Sequence, residues 1–322
     1  MLKFLGHAGF MYETDKQLLL MDPWMSKSGA FDSSWYQFPS NHELGDEIRK
    51  IIEKSNKDIY IYISHEHKDH FDVPYLTTLE LEKINFITPK FRRDHVASVL
   101  NKLNPKSVIT PVDSELINIE NIEIRLFLDD QEIVRDSAVG LIDKDRDFTF
   151  LNLNDCKVYD RVDELRAIYK KFDIFTCQFS GAVFHPVCYE YSEKKYTEIS
   201  ESKVYGKFGS VKNLLEKFEP NFYIPAAGPP VFLDPNLVSI NFEEVNIFSS
   251  PYKFKNYLND EMPELKVEVP VPGSSFELKS GDIEIVHPVS NVEAQYDKEK
   301  IKNYAQQYKY IFEEREKQKL DY

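Results

Sequence analysis

Cysteine is scarce in this chain of 322 residues: only Cys156, Cys177 and Cys188 occur. They form neither a paired framework nor a CxxC element, which excludes a disulfide scaffold. Reduced, buried thiols in a cytoplasmic protein are the expectation. Long apolar runs are missing too. The opening MLKFLGHAGFMYETDKQLLLMD is interrupted by His7, Glu13, Asp15 and Lys16 before a secretory core can form. No stretch approaches the roughly 18 apolar residues that span a bilayer. Positive charge is in deficit, with 40 Lys and Arg against 54 Asp and Glu and a net charge of −14. That balance argues against nucleic acid or an anionic membrane as partner. The chain also lacks a Gly-rich phosphate loop, a short-period repeat and a low-complexity tract. Histidine is sparse as well, eight in all, so any concentration of it carries information.

Hydrophobic residues make up 42% of the chain and aromatics 14%, enough at this length for a sizeable core. Short runs rich in Ile, Phe, Tyr and Val recur: LKFLGHAGFMYE, QLLLMD, DIYIYIS, INFITP, SVITPV, IEIRLFL, FTFLNLN, IFTCQF, NFYIPAA and IEIVHP. Near period-two alternation predicts strands for them. Helical spacing is read over 44–55, where Leu44, Ile48, Ile51 and Ile52 share a face, and over 161–172 and 209–218. Residues 297–320 predict a long amphipathic helix with Ile301, Tyr304, Tyr308 and Ile311 as its apolar stripe. No linker interrupts the pattern. The expectation is one α/β domain over 1–322, with 236–322 as a C-terminal extension packed on it.

The histidines concentrate in SHEHKDHFD (64–72), directly after the alternating DIYIYI. His65 and His67 stand two residues apart on an extended segment, so both imidazoles project to one side and can hold one metal ion. Asp69 and His70 follow as the chain turns and can face a second ion. Imidazole suits zinc or iron, and the added carboxylate also admits iron or manganese.

This HxHxDH pattern at His65, His67, Asp69 and His70 resembles the metallo-β-lactamase fold superfamily. A glycine-containing strand pair, FLGHAGFMYE then QLLLMDPW, precedes it much as it does in that superfamily. The resemblance implies an αββα sandwich with a dinuclear metal site at one edge of the two sheets. It implies that Asp69 orients or deprotonates a metal-bound water and ligates the second metal, and that Asp155 in FLNLNDC (150–156) bridges both. Further segments, DSAVGL (136–141), CQFSGAVFHPVCYEY (177–191) and YIPAAGPPVFLDP (223–235), look like the catalytic domain of the CMP-N-acetylneuraminate hydroxylase family. That likeness runs from about residue 1 to 250. The family is an iron-dependent monooxygenase acting on the N-acetyl methyl group of a nucleotide-activated sialic acid.

Two departures shape what the resemblance implies. The hydroxylase family carries a Rieske [2Fe–2S] domain, whose CxH and CxxH pairs are missing here. Electrons would then come from a separate electron-transfer protein of ferredoxin or Rieske type, or from the substrate. Hydrolytic superfamily members usually carry a further His upstream of the bridging Asp and a last His on a late strand. Here FLDDQE offers Asp129 and Asp130 at the first place, and YIPAAGPP has no His at the second. Exchanging imidazole for carboxylate favours iron.

The candidate set follows. Asp69 is the catalytic candidate, and His65, His67, Asp69, His70 and Asp155, with one of Asp129 or Asp130, are the metal ligands. His185 in VFHPVC is a spare ligand. His7 in GHAGF approaches the metal edge from the first strand turn and contacts substrate together with Gln178, Ser180 and Tyr189. Asp22 in MDPW is expected to hold a metal-bound histidine by a hydrogen bond, whereas His42, His95 and His287 read as surface or core residues. Two metal ions are implied, iron before zinc or manganese. The leading reading is a dinuclear non-haem iron oxygenase acting on a small polar substrate, such as a nucleotide-linked or N-acylated sugar. The alternative is a metal-dependent hydrolase (phosphodiesterase, lactonase or amidase) with a metal-bridging hydroxide, and a third reading is metal binding without catalysis.

Overall fold

The apolar runs fold as strands wherever both of their faces can be buried. In a computed structural model that describes residues 1–131, 135–183, 185–279 and 282–320, the chain opens with β1 (Leu2–Gly6), β2 (Gly9–Glu13) and β3 (Gln17–Met21). There follow α1 (His42–Lys54), β4 (Asp58–Tyr62), α2 (Val73–Leu76), β5 (Ile84–Ile87), α3 (His95–Lys102) and β6 (Ser107–Ile109). The second part runs through β7 (Leu116–Ile119), β8 (Ile122–Asp130), β9 (Arg135–Asp143), β10 (Phe148–Asn152), α4 (Val162–Ile168) and β11 (Ile174–Gln178). Then come α5 (Glu193–Phe218), β12 (Phe222–Ala226), α6 (Pro251–Glu261), β13 (Lys266–Val267), β14 (Ser275–Lys279), β15 (Asp282–Val286) and α7 (Glu299–Leu320).

Two sheets result, ordered β15-β14-β1-β2-β3-β4-β5-β6 and β13-β12-β11-β10-β9-β8-β7. The period of two explains the layering. Leu19 and Met21 of β3 face the space between the sheets, meeting Leu126, Val139, Leu141 and Phe150, while Leu18 and Leu20 face outward onto Ile48 and Ile52 of α1. Phe10 and Phe150 cross the gap with ring centroids 5.1 Å apart. On the far side, Leu151 and Phe175 pack under Val204, Phe208, Val211 and Leu215 of α5 and Phe254 of α6. Helices therefore cover both outer faces, the αββα order that the sequence predicted. Each fully buried Ile or Leu in these layers contributes about 1.5–3 kcal/mol.

Several elements differ from the sequence reading. The helix expected over 161–172 stops at Ile168, and the one read at 209–218 is the end of a 26-residue helix whose N-terminus is capped by Ser192. Exposed charged residues along the front of α5 hide its apolar stripe from a short window. Residues 236–322 supply β13 to one sheet and β14 and β15 to the other. In α7, Ile301, Tyr304, Tyr308 and Phe312 are buried against Tyr36, Val231 and Leu233, while Ile311 is only half-buried. Cys156 and Cys177 are buried, but Cys188 is exposed, contrary to the expectation of three buried thiols. Among the described residues, no helix is long and apolar enough to cross a membrane.

One close approach makes a sharp prediction. A Cβ at Gly140, in mid-β9, would lie 2.0 Å from the hydroxyl of buried Tyr169. Gly140→Ala is expected to destabilise the chain by about 1–3 kcal/mol through overpacking, seen as a lower urea midpoint. Combined with Tyr169→Ala the two losses should add to less than their sum. A wild-type midpoint for Gly140→Ala would refute the packing.

Candidate metal centre

The carboxyl ends of the parallel strands β3, β4, β10, β11 and β12 converge at one edge of the sandwich, where ligands gather in open α/β sheets. Asp22, just past β3, adopts the left-handed region at φ 41°. Its carboxylate accepts the Ser64 backbone N–H at 2.8 Å and the Ser64 hydroxyl at 2.5 Å. It also lies 2.8 Å from His70 Nδ1. An Nδ1–H donated to this carboxylate leaves His70 with its lone pair on Nε2, turned into the site. The tight turn after His67, whose carbonyl accepts the amides of His70 and Phe71 at 3.0 and 2.7 Å, brings Asp69 and His70 back beside His65.

Among the described residues two donor groups result, each with ligand atoms within 4.8 Å of one another: His65, His67 and Asp155, and His7, Asp69 and His70. In the first, His65 Nε2 lies 2.8 Å from His67 Nδ1 and 3.4 Å from Asp136 Oδ1. In the second, His7 Nε2 stands 3.1 Å from Asp69 Oδ2. His70 Nε2 is 3.8 Å from that same oxygen and 3.7 Å from Asp155 Oδ2, so Asp155 reaches between the groups. His70 Nε2, Asp69 Oδ1 and Asp136 Oδ1 are all buried without a hydrogen-bond partner. Folded proteins rarely leave such atoms unpaired, because each costs desolvation energy. Three of them converging among imidazoles and carboxylates fit bound cations.

The electrostatics agree. Burial pushes the His65 imidazole well below its ordinary pKa, keeping it neutral and able to ligate. Burial acts the same way on His70, but Asp69, Asp155 and Asp22 outweigh it and lift His70 to about 10. Asp69 stays below the usual carboxylate range despite burial, because His70 and His7 flank it. Asp136 is raised to about 7 by burial and by the charge of Asp155. This is a crowd of acids and bases with too little balancing charge of its own, and bound cations would supply that balance.

The structure thus brings His65, His67, Asp69, His70, Asp155 and His7 together, and Asp22 makes the supporting bond expected of it. Other expected residues stand elsewhere. Asp130 accepts the Arg92 backbone N–H at 2.9 Å on an exposed surface, because strand alternation turns it away from the centre. Asp129 accepts from Gln131 at 2.9 Å and belongs to neither donor group. The hairpin carboxylate that lies beside His65 is Asp136, directly opposite Asp129 in the β8–β9 register, and it too stands outside the two donor groups. Asp136 was not singled out in the sequence, although DSAVGL contains it, since only the hairpin register shows where it lies. His185 is buried away from both groups, its Nε2 2.8 Å from Ser200 Oγ and its ring against Tyr191 and Tyr196. Gln178 donates to Asp155 Oδ1 at 2.9 Å. Ser180 is buried, and Tyr189 is exposed. His42 and His287 bond Met25 and Ser274, respectively, and His95 opens α3.

No family model matches the chain. A protein named as a Rieske 2Fe-2S iron–sulfur protein, from Mycolicibacterium smegmatis, is 27% identical over 314 residues, covering 94% of this chain and 59% of that protein. The chain therefore spans about three fifths of that relative's length. Among solved structures, a "possible metal-dependent hydrolase" from Veillonella parvula superposes with a TM-score of 0.58 at 11% identity, covering 84% of this chain and 97% of its own. CmlA, a diiron β-hydroxylase from Streptomyces venezuelae, superposes with a TM-score of 0.51 at 13% identity over 83% of this chain and 52% of its own. The fold is metallo-β-lactamase-like. At these identities the likeness to solved structures gives the fold alone. The finer likeness to the CMP-N-acetylneuraminate hydroxylase family rests on the sequence segments.

Proposed function

We propose that this chain is a dinuclear metal enzyme, an iron-dependent oxygenase that hydroxylates a small polar substrate. One observation carries the reading. Each donor group pairs two imidazoles with one carboxylate, with Asp136 beside the first, and two histidines with one carboxylate is the donor set of non-haem iron oxygenases, where a zinc hydrolase of this fold would usually offer more imidazole. His65, His67 and Asp155, with Asp136 beside them, would hold one ion, and His7, Asp69 and His70 the other. Two irons held there would supply O2 activation. The chain's own residues do the rest. Asp22 fixes the His70 tautomer, and Asp69, held ionised by His70 and His7, keeps its unpartnered Oδ1 as an acceptor for a cation or a bound water. The Trp24 indole, edge-on to His7 at 5.2 Å, keeps bulk water from that side.

The diiron β-hydroxylase neighbour supports iron, and the Rieske-named relative supports an iron–sulfur protein as electron donor. By the resemblance stated above, the substrate is a nucleotide-linked or N-acylated sugar. A second reading, a metal-dependent hydrolase, is favoured by the Veillonella neighbour, matched over 97% of its length. Anaerobic purification with elemental analysis, followed by spectra before and after O2, separates the two. About two irons per chain with an O2-dependent absorption change is the expected result. Two zincs with phosphodiesterase, lactonase or amidase turnover would overturn it.

A further inference from the structure

Behind the metal edge, α5 carries a lysine that the proposed chemistry leaves unused. Lys207 Nζ lies 3.0 Å from Gln178 Oε1, and Gln178 Nε2 lies 2.9 Å from Asp155 Oδ1. An amide can in principle present either its oxygen or its NH2 group to a neighbour. An ammonium can only donate, so Lys207 determines which way this amide faces. With the amide oxygen held toward α5, the NH2 group must meet Asp155. Asp155 then spends Oδ1 on that bond and leaves Oδ2, the oxygen 3.7 Å from His70 Nε2, for the site. We propose that Lys207 is a positioning residue for the metal centre: through Gln178 it fixes which oxygen Asp155 presents to the ions.

This inference rests on Asp155 being a metal ligand, and the two fail differently. The fold supports the arrangement mechanically. Gln178 ends β11, whose neighbours β10 and β12 hold it on both sides, and α5 packs across that sheet through Val204, Phe208 and Val211. The lysine thus reaches the amide from a rigid element, as a supporting residue must if it is to hold a ligand in place. A lysine serving only to bind its helix to the sheet would leave the amide's direction without consequence.

The test is anaerobic ferrous-ion binding by the full chain in competition with a chromophoric chelator, together with the melting midpoint of the metal-free protein. Gln178→Ala, which removes the group bonded to Asp155, is expected to weaken binding by about 10–100-fold, and Lys207→Met, one bond further out, by up to about 10-fold, while the metal-free midpoint stays in place. Lys207→Arg, which still only donates, should keep most of the affinity. Lys207→Glu should lose more than Lys207→Met, because an acceptor there turns the amide oxygen against Asp155. Lys207→Met added to Gln178→Ala should cost nothing further. Wild-type affinity in Lys207→Met while Asp155→Asn loses metal, or losses that add in the double variant, would overturn the proposal alone. Full metal retention by Asp155→Asn would overturn it together with the assignment of Asp155.

Discussion

Asp155→Asn is expected to reduce bound metal from about two ions per chain toward one and to lower turnover by more than about 100-fold, beyond the cost of losing an outer-shell partner. The size of the effect follows from position. Asp155 belongs to the donor group of His65 and His67, and its Oδ2 lies 3.7 Å from His70 Nε2 in the other group. Its Oδ1 is already bonded to Gln178 Nε2. An asparagine would meet that NH2 group with its own oxygen, and would then aim its amide NH2 at the ions. The substitution therefore removes a charge and replaces an acceptor with a donor that cannot ligate. Elemental analysis and turnover measured on the same preparation check the prediction. Asp130→Asn is the matched control, because that carboxylate is bonded to Arg92 on the surface; it should keep its metal. Two ions and normal turnover in Asp155→Asn would remove this carboxylate from the centre.

The sequence made half of the site legible because half of it is local. His65, His67, Asp69 and His70 lie within one turn after one strand, so spacing and alternation were enough to group them. Asp22 was legible as a strand-terminal carboxylate, since the ends of parallel strands meet at one edge, whereas Asp155 was named only through the resemblance to the metallo-β-lactamase fold superfamily. The carboxylate beside His65 was not legible, because only the folded hairpin brings Asp136 to 3.4 Å from it. The β8–β9 pairing sets Asp129 opposite Asp136 and turns Asp130 to the far side. A slip of one residue would have reversed those roles. His185 looked like a ligand through its neighbours in sequence, but the chain after β11 turns it toward Ser200 and two tyrosines instead. His7 is the converse case. Its position beside Asp69 depends on β1 and β2 bringing their turn to the metal edge, which the sheet order decides. Layering was read more easily than the site, because continuous apolar runs such as QLLLM already require both faces to be covered.

Stripping the metals should destabilise the chain, and more so at high pH. A ligand present at a thousandfold excess over its dissociation constant stabilises the native state by about 4 kcal/mol. At roughly 1.5 °C per kcal/mol for a chain of this length, chelation should lower the melting midpoint by roughly 6 °C for each ion removed. The pH dependence follows from His70, Asp136 and their neighbours. In the metal-free chain His70 is raised to about 10, above its unfolded value of about 6.5. Its stabilising contribution is therefore complete below about 6.5 and is lost as pH rises through about 10. Asp136, raised to about 7, acts in the same direction: its contribution is present below the ordinary carboxylate range and lost as pH rises through 7. Metal binding has the opposite slope, since His70 must release its proton to ligate. Between pH 6.5 and 10 the metal-free melt should fall while metal affinity climbs, so the gap between loaded and chelated samples should widen. Replacing His70 by Gln should flatten both trends by removing the proton that couples them. A gap that stays constant or narrows over that window would show that the ions are not bound at the His70 edge.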